Sequence, residues 1–327
     1  MSDAGTRLER DSEAAPRAVI VGGGTMGAGI AAAFLHQGWM VEVVEADAQV
    51  RWSLSSRLAG LLQPSVSAAS LAGRLRACAS LAEVQWQHVQ IVSENVFEEL
   101  AVKRRVFAEL AELAPPGVPL TSNSSTLPAS EISVGSSRAD SIMNLHFLMP
   151  AHLVPLVEVL ATPEVATEVV DRVWRILLAI GKKPVRITQA LPGFLVNRMQ
   201  AALMREALAL VDAGVATAQD VDTAVRYGFG FRYAACGPIL QKEHSGWDIS
   251  HKLYQTVFPT LANHAAPPNV LEQMIAQGRL GMKTGQGFVK WTVPAMTQER
   301  ARFNRAMNEA TEIARGRPDD IEPDWQP

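Results

Sequence analysis

The chain has 327 residues, 48% of them apolar, and a formal charge of only −3, with no block of basic residues. That suffices for two ordinary domains with packed cores and gives no footprint for a nucleic-acid partner. Cys78 and Cys236 are too far apart for a metal-ligand or CxxC pattern, and no apolar run reaches membrane-spanning length, so a disulfide framework, a metal site and a membrane partner are all unexpected.

Residues 1–17 are polar and charged and lack the apolar centre of a secretory signal. They read as a flexible tail, and a cytoplasmic location is expected. The first strand is Ala18-Val19-Ile20-Val21, followed by Gly22-Gly23-Gly24-Thr25-Met26-Gly27 and an Ala-rich helix starting near Met26. Met40-Val41-Glu42-Val43-Val44 reads as the second strand, closed by Glu45. This is the order a dinucleotide site requires. Gly22 permits a tight turn, Gly24 lets a pyrophosphate approach the backbone, and Gly27 lets helix and strand pack closely. The helix opened by Thr25 and Met26 turns its unpaired N–H groups toward the phosphates. Glu45 stands where a carboxylate meets the adenosine ribose hydroxyls and repels a 2′-phosphate. Ala46 and Asp47 add no cation, and Arg51 lies further on, so NAD is expected rather than NADP.

Helical stretches are expected at 52–62 and 68–79, interrupted at Pro64, then a strand at 89–92 that ends in Ser93-Glu94-Asn95. Residues 100–113 have a helical period closed by Pro115-Pro116-Gly117, and strands follow at 118–121, 141–146 and 156–160. A helix at 167–180 with Gly181 as its C-cap and a strand at 184–187 complete the alternation. Such alternation predicts an α/β domain of Rossmann type with a mostly parallel sheet over 18–190. From Leu191 the pattern turns helical, at 194–213, 218–227, 248–258, 269–277 and 296–313. An all-α domain is therefore expected over 191–314, with 315–327 as a tail.

Four places could carry chemistry. His146 ends an expected strand, where ligands bind in open α/β sheets. Glu158 is a lone carboxylate among Leu and Val, costly to bury unless paired, and an imidazole twelve residues away is the simplest partner. Such a pair makes a general base. Equally, Glu158 could point to solvent and His146 be a satisfied core residue. The run Thr121-Ser122-Asn123-Ser124-Ser125-Thr126 could bind a substrate oxygen or cap a helix starting near Leu127. Asn197 could face a cleft or lie exposed on its helix.

Taken together, these residues resemble the 3-hydroxyacyl-CoA dehydrogenase family over most of the chain. The turn at Gly22 and Glu45 is similar to its coenzyme fingerprint. The stretch from Glu94 to Lys103 resembles the one whose Glu and Lys approach the nicotinamide, which implies that role for Glu98 and Lys103. Ser122-Asn123-Ser124-Ser125-Thr126-Leu127 resembles SNTSSL and implies that Ser125 binds substrate beside the coenzyme. His146 and Glu158 then match the catalytic pair, and Asn197, within a PGFIVNR-like segment, the fourth active-site residue. The Gly278–Phe288 pattern resembles the helical domain through which the family dimerises, so a homodimer is implied.

Departures bear on the substrate. Met149 replaces an Asn of the family's HFFNP, and the excursion between Glu45 and Glu94 is short and has no lysine. In the CoA enzymes that excursion is longer, lysine-rich and holds the CoA. Here Arg51, Arg57, Arg74 and Arg76 are the candidate replacements. These changes resemble members acting on free hydroxy acids, such as carnitine and L-gulonate dehydrogenases. The implied reaction is reversible, NAD-dependent oxidation of a β-hydroxy acid or its derivative to the 3-keto compound. The competing expectations are a short-chain L-3-hydroxyacyl-CoA dehydrogenase and a non-catalytic NAD-binding protein. A hydroxyisobutyrate-type enzyme would need a lysine in the interdomain helix, and Lys182 and Lys183 lie upstream of it.

Overall fold

The computed structural model describes residues 15–62, 71 and 73–316. The tail expected at 1–17 falls almost wholly outside these residues, as do positions 68–70 of the second expected helix and nearly all of the tail at 315–327. The chain divides into two compact units, with the break between Leu195 and Val196.

The first unit is an eight-stranded sheet in the order β3-β2-β1-β4-β5-β6-β7-β8. Its strands are β1 Arg17–Val21, β2 Met40–Val44, β3 Leu75–Cys78, β4 Val89–Glu94, β5 Leu120–Ser122, β6 Ile142–Phe147, β7 Leu156–Leu160 and β8 Lys183–Ile187. The first six run parallel, β6 and β7 pair antiparallel, and β8 continues parallel to β7. The chain builds outward from β1 through β2 to β3, then returns to the other side of β1 with β4. That reversal opens a crevice at the carboxyl ends of β1 and β4, where ligands of open α/β sheets sit.

Strand periodicity explains why both faces are covered. Ala18 and Ile20 point into one core with α1 (Thr25–His36), α2 (Ala48–Leu62) and the helix Thr167–Ala179. Val19 and Val21 point into the other core, with Phe107 and Leu110 of α3 (Leu100–Leu113). Alternate residues of one strand thus serve opposite layers. The glycine expected to end the helix before β8 does so: Gly181 has φ +74°, and the amides of Gly181 and Lys182 donate to the carbonyls of Leu178 and Leu177.

The helix expected at 68–79 fails within the described residues. The segment 75–78 is strand β3, not helix, because the free edge of β2 offers it a ladder, with Leu75 opposite Val41 and Arg76 opposite Glu42. Leu71, Leu75 and Cys78 are spaced like a helical stripe, but pairing with β2 prevails. Smaller shifts occur elsewhere. The strand expected at 118–121 lies at Leu120–Ser122, and the helix after the serine run is the single turn Ala129–Ile132.

The second unit is helical. Its longer helices are Val196–Asp212, Trp247–Val257, Asn269–Ala276 and Val293–Arg315, so Arg315 belongs to a helix rather than to the expected tail. The helix expected at 218–227 ends at Ala224, and Val225–Phe229 form a π turn after it. Among the described residues no helix is long and apolar enough to cross a membrane.

Candidate active site

The turn after β1 is built around contacts a side chain would prevent. Gly22 has φ +97°, and a Cβ there would lie 2.6 Å from the carbonyl oxygen of Asn95. A Cβ on Gly27 would overlap the carbonyl of Gly22. Gly24 differs: nothing lies within 4 Å of where its Cβ would be. It caps α1 with no side-chain hydrogen bond, and no acidic residue stands in the first turn. The positive end of α1, opened by Thr25 and Met26, therefore faces free space, as an anionic pyrophosphate needs. Glu45 accepts the Gly23 amide at 2.7 Å and the Asp47 amide at 2.9 Å. This places its carboxylate beside the turn, and the residues present fit a dinucleotide with free ribose hydroxyls. Arg51 donates to the carbonyls of Glu45 and Ala46, and Arg57 to that of Gly23 at 2.9 Å.

A charged network hangs from β4 and β5. Glu94, wholly buried at the end of β4, accepts Lys103 Nζ at 2.8 Å, Ser122 Oγ at 2.7 Å and the Val96 amide at 2.7 Å. Lys103 comes from the first turn of α3 and is itself 1% exposed. It also reaches Glu98 at 3.2 Å. Burial alone would raise the Glu98 carboxyl. Hydrogen bonds from Ser124 and Thr126 and the Lys103 charge outweigh it and hold the group below the usual carboxylate range.

The third component is a cross-strand pair. In the antiparallel register of β6 and β7, His146 lies directly opposite Glu158. His146 Nδ1 and Glu158 Oε2 are 2.6 Å apart, and the residues are only 7% and 1% exposed. Glu158 Oε1 accepts the Leu195 amide at 2.8 Å, and the Phe194 ring meets the imidazole edge-on, centroids 5.6 Å apart. Asn144, one inward-facing position earlier on β6, binds the loop before it, accepting the Ala129 amide at 2.6 Å and donating to the Leu127 carbonyl. Asn123 Oδ1 accepts the Phe147 amide at 2.8 Å, tying that loop to the end of β6. A carboxylate fixing Nδ1 leaves Nε2 as the nitrogen able to exchange a proton, the arrangement of a general base.

These groups share the carboxyl edge of the parallel strands in the first unit. Ser125 is half-exposed on the β5 loop, and its carbonyl accepts the Gly193 amide at 3.2 Å. Asn197 lies in the second unit, half-exposed in the first turn of Val196–Asp212. The serine run performs capping as well: Ser124 Oγ accepts the Leu127 amide at 2.8 Å. Two of the four candidate arginines are elsewhere. Arg76 pairs with Glu42 at 2.9 Å and Arg74 donates to the Leu35 carbonyl, both toward the amino ends of β2 and β3. Glu94 and Phe194 were not singled out from the sequence. Glu94 has a signal, a carboxylate ending an apolar strand, and Phe194 has its place in the PGFIVNR-like segment, which does not reveal its contact with His146.

Comparison with known proteins places the chain by sequence and by fold. Residues 17–190 match the NAD binding domain of 3-hydroxyacyl-CoA dehydrogenase, and residues 193–291 match its C-terminal domain. The chain is 33% identical to an L-carnitine dehydrogenase/betainyl-CoA thioesterase of Ruegeria pomeroyi over 74% of its own length, and it spans about half (50%) of that protein. It is 30% identical to the 5-formyl-3-hydroxy-2-methylpyridine 4-carboxylate 5-dehydrogenase of Mesorhizobium japonicum, covering 86% of this chain and 94% of that one. A solved structure of a dehydrogenase of that name, described as an NAD+-dependent dismutase, superimposes with TM-score 0.82 at 26% identity, over 93% of this chain and 100% of the other.

Proposed function

Because the chain belongs to the 3-hydroxyacyl-CoA dehydrogenase family, whose members are NAD-dependent oxidoreductases of CH–OH groups, we propose that it oxidises a small β-hydroxy acid to the 3-keto acid. The observation that carries this reading is the buried 2.6 Å pair of His146 and Glu158 at the carboxyl edge of the sheet. His146 Nε2 takes the hydroxyl proton as the carbinol carbon gives up its hydride. Bound NAD supplies the hydride acceptor. Glu158 holds the imidazole in one tautomer and stabilises the imidazolium, while Ser125 holds a substrate oxygen; Asn197 of the helical unit is a separate candidate for binding a substrate oxygen. Glu98 lines the nicotinamide side, with Lys103 buried behind it and holding its carboxylate, and Gly22, Gly24, Thr25, Met26, Gly27 and Glu45 hold the phosphates and ribose. Much of the acceleration comes from fixing the carbinol carbon against the acceptor.

The substrate is proposed to lack CoA. Of the four arginines available to replace a lysine-rich CoA clamp, Arg74 and Arg76 are committed near Leu35 and Glu42. Arg51 and Arg57 bond to carbonyls of the coenzyme turn and its neighbour. The relatives named for carnitine and for a pyridine carboxylate support the same reading. The two cysteines are free thiols, which fits a reducing cytoplasm. The test is NADH formation across carnitine, gulonate, free 3-hydroxybutyrate and 3-hydroxybutyryl-CoA. A free acid is expected to give the highest kcat/KM. A large preference for the thioester would reverse the substrate assignment, and no turnover on any hydroxy acid would favour a protein that binds NAD without catalysis.

A further inference from the structure

We infer that Phe194 and the backbone amide of Leu195 are positioning groups for the His146–Glu158 pair. The inference rests on the reading of that pair as the general base. Five features of the first unit converge on it. The Phe194 side chain is buried, its residue only 4% exposed, although the flanking Leu191 and Leu195 are 49% and 46% exposed. Its ring meets the imidazole edge-on. It packs with Leu160 of β7 and Ile187 of β8 in a small apolar cluster of its own. Its backbone has φ +48°, a left-handed conformation uncommon for an aromatic residue, entered directly from Gly193 at φ +81°. The next amide, Leu195 N–H, donates to the Glu158 oxygen that His146 does not use.

The physical consequence is specific. A buried carboxylate keeps its charge only if both oxygens are served. Here one is served by the imidazole and the other by a backbone donor, which the left-handed residue turns toward it. The same turn drives the ring against the imidazole and shields the 2.6 Å hydrogen bond from water, and a dry site strengthens such a bond. Gly193 N–H on the Ser125 carbonyl ties the segment to the proposed substrate-binding loop. An aromatic residue in a left-handed turn costs stability that a glycine would not. The contacts of its ring are the compensating gain.

The experiment uses the full chain and compares Phe194→Gly, Phe194→Ala and Phe194→Leu with the parent. Glycine suits the left-handed turn, so the ring can be removed without backbone strain. Proton NMR follows the far-downfield resonance of the proton shared by His146 and Glu158, and fluorescence titration gives the NADH dissociation constant. Phe194→Gly and Phe194→Ala are expected to lose that resonance through exchange with water. They should lower kcat on the substrate from the panel by about 10- to 100-fold, less than the roughly 10²–10⁴ that the general base itself contributes, with NADH affinity unchanged within about twofold. Phe194→Leu, which keeps the site dry, should retain the resonance and most of the activity. The inference is overturned if the resonance persists in the glycine and alanine variants, or if all three variants lose NADH affinity and thermal stability together while it is unchanged. His146→Gln separates the two ideas. If it leaves kcat intact while the Phe194 variants still lose the resonance, the base assignment fails and the positioning role stands.

Discussion

Lys103 and Glu94 bury opposite charges almost completely, with 1% and 0% of their side chains exposed. Removing one partner strands the other, and for a buried pair the loss is about 3–5 kcal/mol. Lys103→Met should therefore lower stability by that amount in urea denaturation, beyond any effect on NAD affinity. His146 behaves differently because its removal leaves the coenzyme turn intact. His146→Ala is expected to bind NADH normally and to lose about 10²–10⁴ in turnover, and an unchanged kcat would remove it from the proposed role. Cys78 gives a pH signature. Burial, then a hydrogen bond to Glu42 and the Glu42 charge, push its thiol up to about 11. In the unfolded chain it would ionise near 9.0. As pH rises from 9 to 11 the unfolded state alone releases this proton, so stability should fall across that window. Replacing Cys78 by Ala should flatten the slope. At pH 8 a thiol reagent should modify Cys236, which is half-exposed, and spare Cys78 until the protein unfolds.

The strand–turn–helix of β1 and α1 makes its own predictions, since its glycines do different work. A Cβ on Gly27 would collide with the Gly22 carbonyl, so Gly27→Ala should destabilise the fold by about 1–3 kcal/mol, as overpacking does. Gly24→Ala meets no protein atom within 4 Å. Its melting temperature should stay close to that of the parent while its NADH dissociation constant rises about tenfold, equivalent to 1.4 kcal/mol, because the added methyl occupies the approach to the helix N-terminus. Calorimetry with NADH titration checks both variants. An unchanged NADH dissociation constant in Gly24→Ala would mean that the open space at Gly24 is not where the phosphates bind. The β6–β7 pair is the other element with chemical content. Its antiparallel register places His146 opposite Glu158 and leaves the flanking Leu145 and Val159 in the apolar core. A one-residue slip of either strand would turn its polar group to the wrong face and part the pair.

For the molecule as a whole, the helical unit keeps a good deal of apolar surface exposed. Met199, Leu203 and Met204 of its first helix are 57%, 43% and 55% exposed, and no residue of that helix is buried. Large exposed apolar surface marks an association site, and we propose a homodimer through this unit. Light scattering should give about twice the 35.3 kDa chain mass, whereas Met199→Glu with Leu203→Glu should yield monomers.

Some of this was written in local sequence. A glycine turn between an apolar strand and an Ala-rich helix, an acidic residue after the next strand, and a change from alternating elements to helices only are all short-range signals. They reflect backbone freedom, periodicity and charge, which need no knowledge of distant residues. Other features depended on which strands lie side by side. Met-Val-Glu-Val-Val and Leu-Val-Glu-Val-Leu are the same pattern, yet Glu42 is held by Arg17 and Arg76 while Glu158 meets an imidazole. β3 exists because β2 had a free edge, and Arg74 and Arg76 were thereby carried away from the coenzyme turn. The contact of Phe194 with His146 spans 48 residues of chain and has no periodic trace. A side chain's partner is fixed by register and by the face its strand presents, and both arise only when the sheet assembles.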